Sequence, residues 1–188
     1  MFSSMSKTSK QIKLDPLQPL VTRTDQRGII KYVNYYFKKI TGYTDDQLIG
    51  NPHNIIRHLD MPKIIFTLMW QRLKENQDIL AIVKNRTKDG SHYWVTTSFK
   101  TTHSEVTKKE NGYMAITYAA PAQAIKEIKP LYKRLLEIEK NEGEIASIKY
   151  LLDFFEANDT NYDDYLKDIT KKSSMMNTLF QKNKIYLK

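Results

Sequence analysis

The tripeptide Lys88-Asp89-Gly90, set between residues 79–87 and 91–102, constrains the fold more than any other stretch of the chain. Both flanks are rich in β-branched and aromatic residues, and Asp-Gly readily adopts the backbone angles that a tight hairpin turn demands. The pair therefore commits the chain to an antiparallel sheet. Residues 20–24 and 28–33 have the same strand character around the turn Asp25-Gln26-Arg27-Gly28, and residues 112–119 supply a fifth strand after a polar loop.

Helical signals fill the interval between the second and third strands. Asn34 can cap a helix that runs to about Thr41, and Gly42 ends it. Thr44-Asp45-Asp46-Gln47 has capping-box spacing, with acidic residues in the first turn where the helix dipole favours them, and Gly50 follows as a stop. Pro62 suits the first turn of a third helix in which Ile65, Met69 and Leu73 recur at helical spacing to about Lys74. Two strands, three short helices and three strands predict an α+β fold: a five-stranded antiparallel sheet with the helices across one face and a pocket between them.

Residues 1–19 are polar, contain Pro16 and Pro19 and have no periodicity, so they read as a flexible arm ahead of a domain at 20–121. Residues 122–188 read as a helical extension. Its apolar stripes are Ile128, Leu131, Leu135 and Ile138, then Ile145, Ile148, Leu152 and Phe155 after Gly143, then Tyr165, Ile169, Met176 and Leu179. The first stripe needs cover from this chain, from a second copy in a homodimer, or from a partner.

Composition narrows the function classes. The chain has no cysteine, which removes disulfides, thiolate metal sites and cysteine nucleophiles. The longest central apolar run, Ile79-Leu80-Ala81-Ile82-Val83, is far shorter than the roughly 20 residues that span a bilayer. With no signal-peptide pattern at the start, a cytoplasmic protein without a membrane span is expected. The net charge of +9 lies mainly in residues 1–121, which hold 18 Lys/Arg against 10 Asp/Glu. These basic residues are dispersed, with no basic helix or aromatic-interleaved stripe, so nucleic acid is not the expected partner.

The segment Pro52-His53-Asn54-Ile55-Ile56-Arg57-His58-Leu59-Asp60-Met61-Pro62-Lys63 places two imidazoles, a guanidinium and a carboxylate in a short connection stiffened by prolines. It reads as a ligand rim or as a solvated helix-capping loop. On the strand at 79–87, alternation puts Ile79, Ala81, Val83 and Asn85 on one face, and Lys84 and Arg86 mark the other as the outer one. Asn85 is then an amide among apolar neighbours. It needs partners opposite it: a heterocycle edge, neighbouring backbone or a trapped water. No nucleophile elbow, phosphate-cradling glycine loop or metal-ligand cluster is present, which predicts binding rather than catalysis and no metal site.

Several phrases together resemble the flavin-binding PAS domain of Aer-type energy-taxis (aerotaxis) receptors. They are Val33-Asn34-Tyr35-Tyr36-Phe37, Thr41-Gly42-Tyr43-Thr44, Asn51-Pro52-His53-Asn54, Arg57-His58-Leu59-Asp60-Met61-Pro62-Lys63, Met69-Trp70, Val83-Lys84-Asn85-Arg86 and Gly90-Ser91-His92-Tyr93-Trp94-Val95. The resemblance covers about residues 21–136. It implies noncovalent FAD whose redox state is reported to the chemotaxis machinery, with Arg57, His58 and Asp60 on the flavin side of the pocket and Asn85 at the ring edge. It also implies that Asn34 and Trp70 shape the cavity and that His53 is a further candidate. Two positions depart from the family pattern: Ile79 stands where a tryptophan is common, and Leu59 where a proline is usual.

Aer-type receptors continue into a membrane span and a signalling coiled coil, which this sequence does not show. The layout resembles the separate PAS protein of bipartite CetA/CetB-type systems, which implies a membrane-bound methyl-accepting chemotaxis transducer as partner. A haem-binding or ligand-free PAS interaction module is the alternative reading.

Overall fold

The computed structural model describes residues 10–171. Five strands, β1 (Leu20–Thr24), β2 (Ile30–Val33), β3 (Ile79–Arg86), β4 (His92–His103) and β5 (Glu110–Ala119), form one antiparallel sheet in the order β2-β1-β5-β4-β3. The turn at Lys88-Asp89-Gly90 sets the β3–β4 register, with Asn85 opposite Tyr93 and Val83 opposite Val95. Gly112 sits where β5 crosses the end of β1, and a side chain there would collide with the Thr24 carbonyl oxygen.

The helices between β2 and β3 follow the sequence signals. The Asn34 side chain accepts the Phe37 N–H at the start of α1 (Tyr35–Thr41), and Gly42 closes that helix in a left-handed conformation. Thr44 and Gln47 form the capping box of α2 (Asp45–Leu48). A 3-10 turn at His53–Ile56 follows, then α3 (Lys63–Lys74) begins directly after Pro62. Ile65, Met69 and Leu73 point α3 into the core as its periodicity requires.

Beyond the sheet lie α4 (Ala122–Asn141), α5 (Glu144–Ala157) and α6 (Tyr162–Lys171). Ile128, Leu131, Leu135 and Ile138 of α4 are all buried within this chain. The helix continues through Pro130, which lies on its exposed side. There the carbonyl that loses its helical N–H partner can bond to water. The outer sheet face is therefore covered as well: Ile82 is fully buried, its carbonyl accepts the Tyr132 hydroxyl at 2.7 Å, and Trp94 stacks on the Tyr132 ring. α6 also packs on β3, so the tail shields a strand that would otherwise be a free sheet edge.

Three expectations need correcting. Residues 10–15 of the arm are tied down: Gln11 bridges His92, Leu14 is buried, and the Asp15 N–H donates to the Tyr36 hydroxyl. That short stretch pairs with β4 at His92, ahead of Val95 where pairing with β5 begins. The α5 stripe holds at Phe155, which is buried, and shifts elsewhere: Ile145 and Leu152 are 84% and 62% exposed while Ser147 and Leu151 are buried. Ser147 faces the backbone of α4, where its hydroxyl donates to the Leu135 carbonyl, and only a small residue permits that approach. Finally, Ile82 shares its face with Lys84 and Arg86 but is covered by the tail. In the third tail stripe Ile169 is buried and Tyr165 half-buried, while Met176 and Leu179 lie outside the described residues.

Candidate functional site

A cavity of about 490 Å³ lies between the inner sheet face and α3. Its floor follows the two-residue period of the strands: Leu20, Thr22 and Thr24 from β1, Val83 and Asn85 from β3, Tyr93, Thr97 and Phe99 from β4, and Tyr113, Ala115 and Thr117 from β5. Small residues lie opposite one another at the centre, since Thr97 pairs with Thr117 and Thr22 with Ala115. That choice leaves the space between sheet and helix unfilled. The Thr117 hydroxyl donates to that of Thr97 at 3.1 Å, so these two polar groups are satisfied by each other.

Opposite the floor stand Phe66, Met69, Trp70 and Leu73 of α3. Trp70 meets Tyr113 edge to face at 5.5 Å between ring centroids. Its far edge also meets the backbone of Gly28, where a Cβ would come within 2.9 Å of the ring at a positive φ of 77°. Glycine at 28 thus serves both the β1–β2 turn and the seat of Trp70.

The proline-bounded segment forms the side wall. It is held at both ends by backbone: Ile30 N–H donates to Asn51 O at 2.9 Å, His53 N–H to Gly28 O at 3.0 Å, and Arg57 bridges Asn85 on β3. Pro52, His53, Asn54, Ile56, Arg57 and Lys63 consequently line the cavity. His53 Nε2 lies 3.1 Å from the Thr22 hydroxyl. Desolvation among protein atoms drops the His53 pKa to about 4, so its ring is neutral at pH 7 and carries one donor and one acceptor. The Arg57 guanidinium sits 4.2 Å over the Phe66 ring and donates through Nη2 to the Met61 carbonyl at 3.0 Å.

Asn85 and Tyr93, neighbours across the hairpin, carry the polar interest of the floor. Both are buried, and the Tyr93 hydroxyl, beside the Asn85 amide, lacks a hydrogen bond of ordinary geometry. Burial pushes the Tyr93 phenol well above its usual pKa, with the Asn85 amide acting against the shift. A buried hydroxyl without a partner costs about 1–3 kcal/mol, and a ligand with a polar edge would remove that cost.

Of the seven residues singled out in the sequence, His53, Arg57, Trp70 and Asn85 meet at this cavity. Asn34 is not among its lining residues. Its side-chain oxygen accepts from Val21 N–H and Phe37 N–H, and its amide donates to the Pro19 carbonyl. His58 and Asp60 lie outside it, in a separate cluster with Lys84 and His92: Lys84 donates to Asp60, and the two imidazoles meet edge to face at 5.7 Å. Burial works to raise the Asp60 carboxyl, and the Lys84 hydrogen bond together with the charges of Lys84, His58 and His92 more than reverses it. Ile79 is buried but does not line the cavity.

Sequence reasoning missed Tyr93 as a floor residue, although the hairpin register that sets 85 opposite 93 would have found it. It also missed Glu144, which reaches the cavity from α5. Nothing in the local sequence signals that contact.

Residues 30–113 match the family model described as the PAS fold. The chain is 42% identical over 116 residues to the aerotaxis receptor of Escherichia coli (strain K12), an alignment that takes in 62% of this chain and 22% of that protein. It is 30% identical over 71 residues to the bacterioopsin transcriptional activator of Halobacterium salinarum, across 38% of this chain and 10% of the relative. The chain thus spans about a fifth or less of the length of these curated relatives. Among solved structures, the dark-state structure of the blue-light photoreceptor Aureochrome1 LOV is similar with a TM-score of 0.51 at 18% identity, covering 65% of this chain and 84% of that one. Sheet order, helix placement and these similarities together establish that the chain carries a PAS fold.

Proposed function

We propose that this chain is a cytoplasmic redox sensor of energy taxis, holding FAD noncovalently in its PAS cavity and acting on a membrane-bound methyl-accepting chemotaxis transducer. The observation that carries the reading is the buried polar pair Asn85 and Tyr93 on the floor of a cavity lined by aromatic, aliphatic and basic residues. The volume of about 490 Å³ falls within the roughly 300–1,000 Å³ of small-molecule sites. Phe66, Trp70 and Phe99 offer flat surfaces to a planar ring, while Arg57, Lys63 and Arg27 line the cavity as cations suited to an anionic remainder. The similarity to the aerotaxis receptor supports the signalling role. No helix among the described residues is long and apolar enough to cross a membrane, which is compatible with signalling through a partner chain.

FAD, when bound, supplies the redox chemistry, because reduction changes which ring-edge atoms donate and which accept. The chain's own residues read that change. Asn85 presents both a donor and an acceptor, Tyr93 a hydroxyl that can turn either way, and the apolar walls keep water from competing. Any bias toward one conformation comes from the different fit of the two redox forms to these groups.

The purified protein is expected to be yellow and to release FAD on denaturation. A haem spectrum, or colourless protein that takes up no added FAD, overturns the cofactor assignment. Asn85→Ala should lower FAD affinity about tenfold or more without loss of fold, as measured by flavin titration and circular dichroism. A pull-down of the transducer by the full chain, present with oxidised and changed with reduced FAD, tests the output.

A further inference from the structure

The tail helices hold α3 at three places. Glu139, near the end of α4, accepts the backbone N–H groups of Lys63 and Ile64 at 2.8 and 2.9 Å, capping the start of α3. Glu144, in the first turn of α5, accepts the Thr67 hydroxyl at 2.5 Å. Asp163 of α6 accepts two bonds from Arg72 at 2.6 and 2.7 Å. The same helix supplies one wall of the cavity, and Glu144 is itself a lining residue.

Arg57 completes the arrangement. It lies on the cavity wall within the electrostatic reach of both Glu139 and Glu144, and among the described residues its guanidinium makes one hydrogen bond, to the Met61 carbonyl. A guanidinium has five donors, so most of its capacity is open to a ligand. An anionic ligand group that pairs with Arg57 comes to lie near two carboxylates that belong to the tail, Glu144 lining the same cavity and Glu139 at the start of α3. Like charges brought together at this partly buried mouth disfavour the docked corner.

We propose that Glu139 and Glu144 are positioning residues of the cavity: they hold the α4–α5 corner on α3 until an anionic group of the ligand, seated on Arg57, brings a like charge beside them and frees that corner. The inference rests on the reading that the cavity takes a flavin nucleotide. It adds a route by which occupancy reaches the tail, through charge at the mouth rather than through the sheet. Asp163 and Arg72, farther along α3, keep the helix docked while the corner moves.

The test uses full-length protein stripped of cofactor, titrated with riboflavin and with FAD, which share the ring and differ in the diphosphate and nucleoside. Hydrogen exchange is followed across residues 63–67 and 139–147. FAD should speed exchange at 139–147 and riboflavin should not. Glu144→Gln retains an acceptor for Thr67 and removes the charge, so it should tighten FAD by about fivefold and leave riboflavin within about twofold. Thr67→Val removes the hydrogen bond and keeps the charge, so it should leave the FAD-to-riboflavin ratio unchanged.

Equal effects of Glu144→Gln on both flavins, or exchange that does not distinguish them, would show a merely structural contact and overturn the proposal. If the wild-type protein binds neither flavin, the cofactor reading fails by itself. Inorganic diphosphate then serves as the anion: faster exchange at 139–147 upholds the corner mechanism, and unchanged exchange overturns it.

Discussion

The two faces of one sheet end differently. On the inner face, threonines and an alanine hold the floor low beneath α3, and a cavity remains. On the outer face, Ile82 and Trp94 meet Tyr132, Leu135 and the other apolar residues of α4 and α6, and the space is filled. Polar atoms lie buried without partners on both sides: the Tyr93 hydroxyl inside, and Trp94 Nε1, Thr96 Oγ1 and the Tyr162 hydroxyl outside. Of these residues, Tyr93 is the one that lines a cavity large enough for a ligand. An unsatisfied polar atom is therefore a signal of binding where packing has been given up around it, and a cost of close packing elsewhere.

Removing the outer cover altogether is the largest perturbation of this contrast. A chain ended after Ala120 exposes Ile82 and Trp94, frees the β3 edge and deletes the carboxylates that hold α3. It should melt about 10 °C or more below the full chain, or collect in the insoluble fraction. A truncated protein as stable as its parent would show that the tail merely rests on the sheet.

Single leucines sharpen the same comparison. Leu135→Ala empties a close-packed interface and should cost about 3–5 kcal/mol, whereas Leu73→Ala enlarges a space that already exists and should cost nearer 2 kcal/mol. Both residues are almost fully buried, so burial alone predicts equal losses. Urea denaturation of the two variants separates the possibilities, and equal costs would mean that the inner face is as tightly packed as the outer.

The inner face should also respond to acid through His53. Its folded pKa of about 4 lies below the ordinary 6.5, so the folded state disfavours the proton that the unfolded state accepts. The contribution is fully present above about pH 6.5 and is lost as the pH falls toward about 4. His53→Gln should flatten that part of the stability profile. A profile unchanged by the substitution would show that the ring is better solvated than its seat beside Thr22 implies.

Local signals were readable because they are satisfied locally. The Asn34 cap, the Thr44–Gln47 capping box, the left-handed Gly42 and the Asp89-Gly90 turn each involve residues only a few positions apart. The inward face of β3 was legible too, since Lys84 and Arg86 mark its opposite. What could not be read depends on the approach of distant elements. Ile82 is buried by α4 from fifty residues away, and α5 turns Leu151 rather than Leu152 inward because Ser147 must fit against α4. Within the candidate site, His58 and Asp60 share a motif with Arg57 yet face away from the cavity, because the chain turns between Arg57 and Met61 and Lys84 draws Asp60 to the outer side. A motif records which residues occur together and leaves open which side of the backbone each will use.

The smallest effects test the polar atoms of the outer face. Tyr132→Phe removes the hydrogen bond from its hydroxyl to β3 and leaves the Ile82 carbonyl facing an apolar surface, so about 1–2 kcal/mol should be lost. Tyr162→Phe removes a hydroxyl that has no partner and keeps the ring that packs beneath Arg72. Its stability should be unchanged or slightly raised, because the desolvation cost of the hydroxyl goes with it. The pair is informative because the substitution is chemically identical and both residues are buried in the same interface. Matching losses in urea midpoint would show that the Tyr162 hydroxyl is satisfied by water, and the outer face would then be wetter than its packing indicates.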